Sequence, residues 1–141
     1  MSMPYWKNLQ AFRIPPGWTV IQHQLMNIEP EKLDKNDDKW LFIFVEDILQ
    51  IETYFERKIN KKLEHQQLII DLGWYPDGNP SGNFRLVAIL NSNWESPLLQ
   101  FTSRSKKEIV KTLECWLFGI FCGMHFIENE NSFRKFYKDY Q

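Results

Sequence analysis

Residues 67–90 read QLIIDLGWYPDGNPSGNFRLVAIL, and this stretch decides the fold. Residues 67–75 are apolar and β-prone, and residues 84–90 (FRLVAIL) are apolar again. Between them, residues 76–83 hold two prolines, two glycines, two asparagines, an aspartate and a serine. These residues favour turns because proline fixes φ, glycine permits positive φ, and Asn, Asp and Ser bond their own backbone. Two apolar runs joined by such a segment predict an antiparallel hairpin.

Working outward, residues 98–103 (LLQFTS) form a further strand after a turn over residues 91–97. Ser105-Lys106-Lys107-Glu108 then matches a capping box, a serine N-cap with a glutamate three residues on. Ile109, Leu113, Trp116, Leu117, Ile120, Phe121 and Met124 follow at helical spacing, so a long helix should lay one apolar stripe over the sheet. Upstream, residues 18–26 alternate as a first strand after Ile14-Pro15-Pro16-Gly17, and residues 40–45 (WLFIFV) read as a buried strand. Residues 48–56 fit a strand continuing after a bulge or bend, although helical spacing is also acceptable there. Residues 57–66 (RKINKKLEHQ) read as a solvated connection. The prediction is an α+β fold in one domain over 1–141: an antiparallel sheet of four to five strands with a long C-terminal helix packed on one face. An N-terminal arm (1–13) and a polar tail (126–141) flank it.

Composition limits the function. The chain has 141 residues, 43% hydrophobic and 16% aromatic, with a formal charge of −1. That is one domain's worth of chain with ample material for a core. A near-neutral charge argues against nucleic-acid binding by bulk attraction. No apolar run reaches the roughly 18 residues of a membrane span. The first ten residues, MSMPYWKNLQ, lack the apolar core of a secretory signal, so a cytoplasmic location is expected. Cys115 and Cys122, the two cysteines, lie seven apart on the expected helix, too far to bridge, which fits a reducing compartment.

Catalytic signatures are absent from the sequence. There is no phosphate-binding glycine loop, no GxSxG and no HExxH, and His23, His65 and His125 stand alone. Pro76-Asp77 could open a magnesium-nuclease motif, but the following strand, FRLVAIL, carries neither the acid nor the lysine that such a site needs. No enzyme, metal or cofactor is therefore expected.

Charge distribution is more telling. Between Glu29 and Glu56 nine acids face three lysines, a net of −6. Clustered acids steer a basic partner. Glu46, Asp47, Glu52 and Asp71 lie in or beside apolar strands, Trp74, Tyr75 and Trp94 flank turns, and Asp77 sits on the hairpin tip. Tyr and Trp beside acids have the composition of an interface centre. The candidate contact set is Glu46, Asp47, Glu52, Asp71, Trp74, Tyr75 and Asp77. An alternative is a small ligand-binding domain or enzyme with a pocket near Asp47 and Asp71.

Over residues 38–118 the chain resembles the immunity proteins of bacterial polymorphic-toxin systems, the contact-dependent growth inhibition group. The resemblance rests on Trp40 with Glu46-Asp47, on Asp71-Leu-Gly-Trp-Tyr-Pro-Asp, on Trp94 with Pro97, and on Ser103-Arg104-Ser105 leading into the Ile/Leu/Trp helix. It implies a cytosolic protein without catalysis. Such a protein would bind one cognate toxin domain, a nuclease in many such systems, and block its active site or substrate path. No binding residue is carried over from the family, so the contact set rests on this chain's own residues.

Overall fold

Alternation along residues 66–74 decides which side of the sheet is filled. Gln66, Leu68, Ile70, Leu72 and Trp74 point to one face and are buried, while Ile69, Asp71, Gly73 and Tyr75 point to the other. The computed structural model describes residues 8–122. It holds five strands, β1 (Thr19–His23), β2 (Leu49–Ile59), β3 (Lys62–Tyr75), β4 (Asn83–Leu90) and β5 (Leu99–Ser103), two α-helices, α1 (Trp40–Ile43) and α2 (Lys106–Cys122), and a short 3-10 helix at Pro30–Lys32. The strands lie in chain order, β1-β2-β3-β4-β5, and every neighbouring pair is antiparallel. The α+β architecture is thus as read, at five strands.

Register aligns the buried side. Ile51 opposes Ile70, which opposes Ala88, which opposes Leu99; one rung away Leu49, Leu72, Leu86 and Phe101 form a second row. α2 lies on this face against β4 and β5, contributing Ile109, Leu113, Trp116 and Leu117 to the core. Each such aliphatic side chain contributes about 1.5–3 kcal/mol on full burial. Leu25, Leu33, Trp40 and Phe44 belong to the same core.

The helix begins as its sequence signals. Ser105 Oγ accepts from the Glu108 amide at 3.2 Å. The return half of the box runs through Ser103: the Ser105 amide donates to Ser103 Oγ at 3.0 Å, and that hydroxyl donates to the Glu108 carboxylate at 2.7 Å. The next two amides, of Lys106 and Lys107, are taken by Glu29, whose two carboxylate oxygens accept them at 2.8 and 3.1 Å. A carboxylate is well placed there, because the first-turn amides lack intrahelical acceptors and carry positive partial charge.

Two expectations are corrected. Residues 40–45 form no buried strand. Trp40 to Ile43 make one helical turn instead, and just before it the Asp37 carboxylate accepts the Lys39 amide at 2.9 Å. The turn drives Trp40 and Phe44 inward, their rings 4.5 Å apart, and leaves Leu41 and Phe42 63% and 74% exposed. Residues 57–66 are no loop either. β2 runs to Ile59, reverses at Asn60 and Lys61 with φ of 51° and 68°, and returns as β3. Two consecutive positive-φ residues match the right-handed strand twist and need no glycine. The resulting ribbon continues past the last paired residues of β1 and β4.

Residues 8–13 of the expected arm dock by an antiparallel bridge between Leu9 and Met26 and by the Arg13 amide, which donates to Glu114 at 3.3 Å. Residues 1–7 and the expected tail at 126–141 lie outside the described residues, as do the side chains of Ile120, Phe121 and Cys122.

Candidate functional site: the sheet face opposite the core

The face turned away from α2 begins with a cross-strand row. Gln22, Gln50, Asp71, Val87 and Gln100 stand side by side from β1 to β5. The next row is Thr19, Glu52, Ile69 and Ile89; on the other side lie Gly73, Arg85 and Thr102. Ile69, Val87 and Ile89 form a small second apolar cluster here. Among the described residues both α-helices lie on the core side.

Glu46 and Asp47 reach this face because the backbone before β2 crosses the end of β3. The Trp74 amide donates to Val45 O at 2.8 Å and the Ile48 amide to Leu72 O at 3.1 Å, so residues 46 and 47 arch over Gly73. Gly73 makes the crossing possible: a Cβ there would run into the Glu46 carbonyl oxygen and come within 2.8 Å of the Tyr75 ring. Gln22 holds the arch from β1, its side-chain amide donating to Asp47 O at 2.8 Å.

Asp71 is the electrostatic centre. Burial, and then the charge of Asp47, raise its carboxyl from 3.8 to about 6, against the opposing pull of Arg85. Burying a carboxylate without a partner disfavours its charged form. Among the described residues no hydrogen bond or ion pair satisfies this carboxylate. Arg85 is turned elsewhere, donating to Gln100 Oε1 at 3.3 Å with its guanidinium 6.0 Å from the Tyr75 ring centre. The Tyr75 hydroxyl is pushed up by burial and by Asp71 and Glu46. Asp71, Tyr75, Arg85, Val87, Ile89 and Trp94 line an open hollow of about 60 Å³.

Of the seven candidates, the structure therefore brings Glu46, Asp47, Asp71 and Tyr75 together. Glu52 lies on the same face, two residues beyond Gln50 on β2, where its carboxylate accepts from Gln67 at 3.3 Å. Asp77 is exposed at the hairpin tip, and its carboxylate accepts the Glu46 amide at 3.1 Å, clasping the arch. Trp74 is a correction. It is wholly buried on the core side, edge-on to Phe84 at 5.0 Å and beside Trp40 and Phe44, with its indole N–H donated to Asn79 O at 2.8 Å. Alternation explains the pair: Tyr75 faces out, so its neighbour faces in.

The acidic stretch is also divided. Glu29 caps α2, Asp34 accepts the Asn36 amide at 2.8 Å and Asp37 accepts the Lys39 amide, so these acids are engaged in backbone bonding away from the far sheet face. Arg85, Gly73, Gln50 and Gln100 were not among the candidates. Their signal was the register, which pairs Gly73 with Arg85 and Asp71 with Val87. Among the described residues no three His, Cys, Asp or Glu side chains gather as metal ligands. No helix among them is long and apolar enough to cross a membrane.

No family model matches the chain, and neither any curated protein nor any solved structure matches it.

Proposed function

We propose that the protein is an inhibitory binding module, an immunity protein of the contact-dependent growth inhibition kind. It acts in the cytoplasm and neutralises one cognate toxin domain, a nuclease, by covering its active site or substrate cleft. The observation that carries the reading is the far sheet face: Glu46, Asp47, Glu52 and Asp71 on or over one surface, with Tyr75 36% and Trp94 47% exposed beside them. A nuclease cleft attracts phosphate and is therefore basic. An acidic sheet face complements it, speeds encounter and fixes orientation, while the aromatics slow release. Capture is one-to-one and needs no chemistry from this chain.

Co-expression with the toxin encoded beside it tests the reading. The wild-type protein should restore growth. Asp47→Lys with Glu52→Lys should weaken capture by at least about tenfold, most of it as slower association at low salt. The control pair Glu31→Lys with Asp38→Lys, exposed acids of the segment before α1, should leave capture unchanged. Absence of rescue against any adjacent toxin would overturn the proposal.

A second reading has one observation in its favour: Asp71 lines a hollow, and burial raises its carboxyl to about 6, as in a ligand-binding or acid–base group. Size weighs against it. Small-molecule sites run to roughly 300–1,000 Å³, and this hollow is about 60 Å³.

A further inference from the structure

A hollow too small for a metabolite still matches the end of one side chain. Its lining combines the Asp71 carboxylate, unpartnered among the described residues, with apolar Val87 and Ile89, aromatic Tyr75 and Trp94, and Arg85. Among the described residues the charge in and beside it is negative on balance: Asp71 lines the hollow with Asp47 and Glu46 nearby, and Arg85 opposes them. That balance disfavours an anion. The arrangement instead suits a cation carried on an apolar stem. The stem would lie on Val87 and Ile89, the charge would meet Asp71, and the aromatic rings would face it.

We propose that this hollow is a receptor for a single basic side chain, an arginine or lysine end group, presented by the protein partner. The proposal rests on the binding-module reading for its donor and deepens it. The far face then has an anchor point at Asp71 inside a broader steering field supplied by Asp47 and Glu52. Interfaces concentrate their energy in such pockets, where a desolvated charge meets one partner under an aromatic rim. The side chain entering the hollow also supplies the hydrogen bonds that Asp71 lacks within the chain.

The experiment titrates the isolated full-length protein with N-acetyl-arginine amide and follows backbone and indole signals by NMR. Saturable shifts confined to the neighbourhood of Tyr75, Arg85 and Trp94 are expected. The neutral analogue N-acetyl-norleucine amide should give none. Asp71→Asn should weaken the arginine probe by about tenfold or more, as the loss of a charge-assisted contact requires. Scattered shifts, equal shifts with norleucine, or undiminished binding to Asp71→Asn would each overturn the site. The two readings fail separately. Rescue without arginine binding removes the receptor and leaves the immunity reading. Arginine binding without rescue removes the immunity reading and leaves the receptor.

Discussion

Asp71 illustrates what one residue contributes when its environment opposes it. Its carboxyl ionises near 3.8 in a free chain and at about 6 in the fold. Between those values the native state holds more protons than the unfolded state, so stability falls as pH rises through this window and stays lower above it. Asp71→Asn removes the group that titrates. The variant should match wild type below about pH 3.8 and melt at a higher temperature above pH 6, in thermal scans across that range. An Asn variant that is less stable at pH 7 would show Asp71 to be satisfied in solution. Trp74 and Tyr75 give the lesson in reading. Both stand at a strand end in the sequence, and composition alone treats them alike. One residue of alternation separates a core anchor from a surface group, and that parity depends on a register the sequence leaves open. Asp71 and Tyr75, four apart on one strand, necessarily share a face, which is why that part of the candidate site was legible.

At the scale of elements, strong local signals survived and weak ones yielded to tertiary context. The capping box at Ser105 and the three- and four-residue spacing from Ile109 onward made α2 legible from sequence. The hairpin around Pro76–Asp77 was legible because its turn residues are unambiguous. Residues 40–45 misled because an apolar run fits a buried strand or a buried helical turn equally. The choice was made by Trp74 and Phe84, which offer Trp40 and Phe44 an aromatic pocket at helical spacing. Asn60-Lys61 was missed because its turn lacks glycine. Glu29 was invisible as a cap, since its role depends on a helix 77 residues away. That role is measurable. Glu29→Gln should cost about 1 kcal/mol by chemical denaturation, in line with the loss of a charged acceptor from helix amides. Glu31→Gln, an exposed acid two residues on, should cost nothing comparable.

For the whole molecule, the sheet is a meander whose central strand is held on both sides. β3 pairs with β2 from Lys62 to Leu72 and with β4 from Leu68 onward. Amide exchange should therefore be slowest around residues 68–72 and fast in the ribbon beyond residue 55, where no third strand adds protection. The reverse order would contradict the topology. The meander also separates two tasks. One face carries the core and both described α-helices, and the other carries the charge. Variants such as Asp47→Lys can thus change the charge of that face without reaching the packing.

The order of the chain has a further consequence. The five strands are synthesised before α2, and each needs only its predecessor to pair, so the sheet can assemble as it emerges. Leu25, Leu33, Trp40 and Phe44 are made early and cover part of its apolar side, but the part over β4 and β5 stays bare until Ile109, Leu113, Trp116 and Leu117 arrive. A chain interrupted after Ser103 would have its full sheet and a sticky, uncovered surface of the kind chaperones and proteases recognise. α2 is in that sense a seal, and a cell could tell sealed copies from broken ones by whether it is in place.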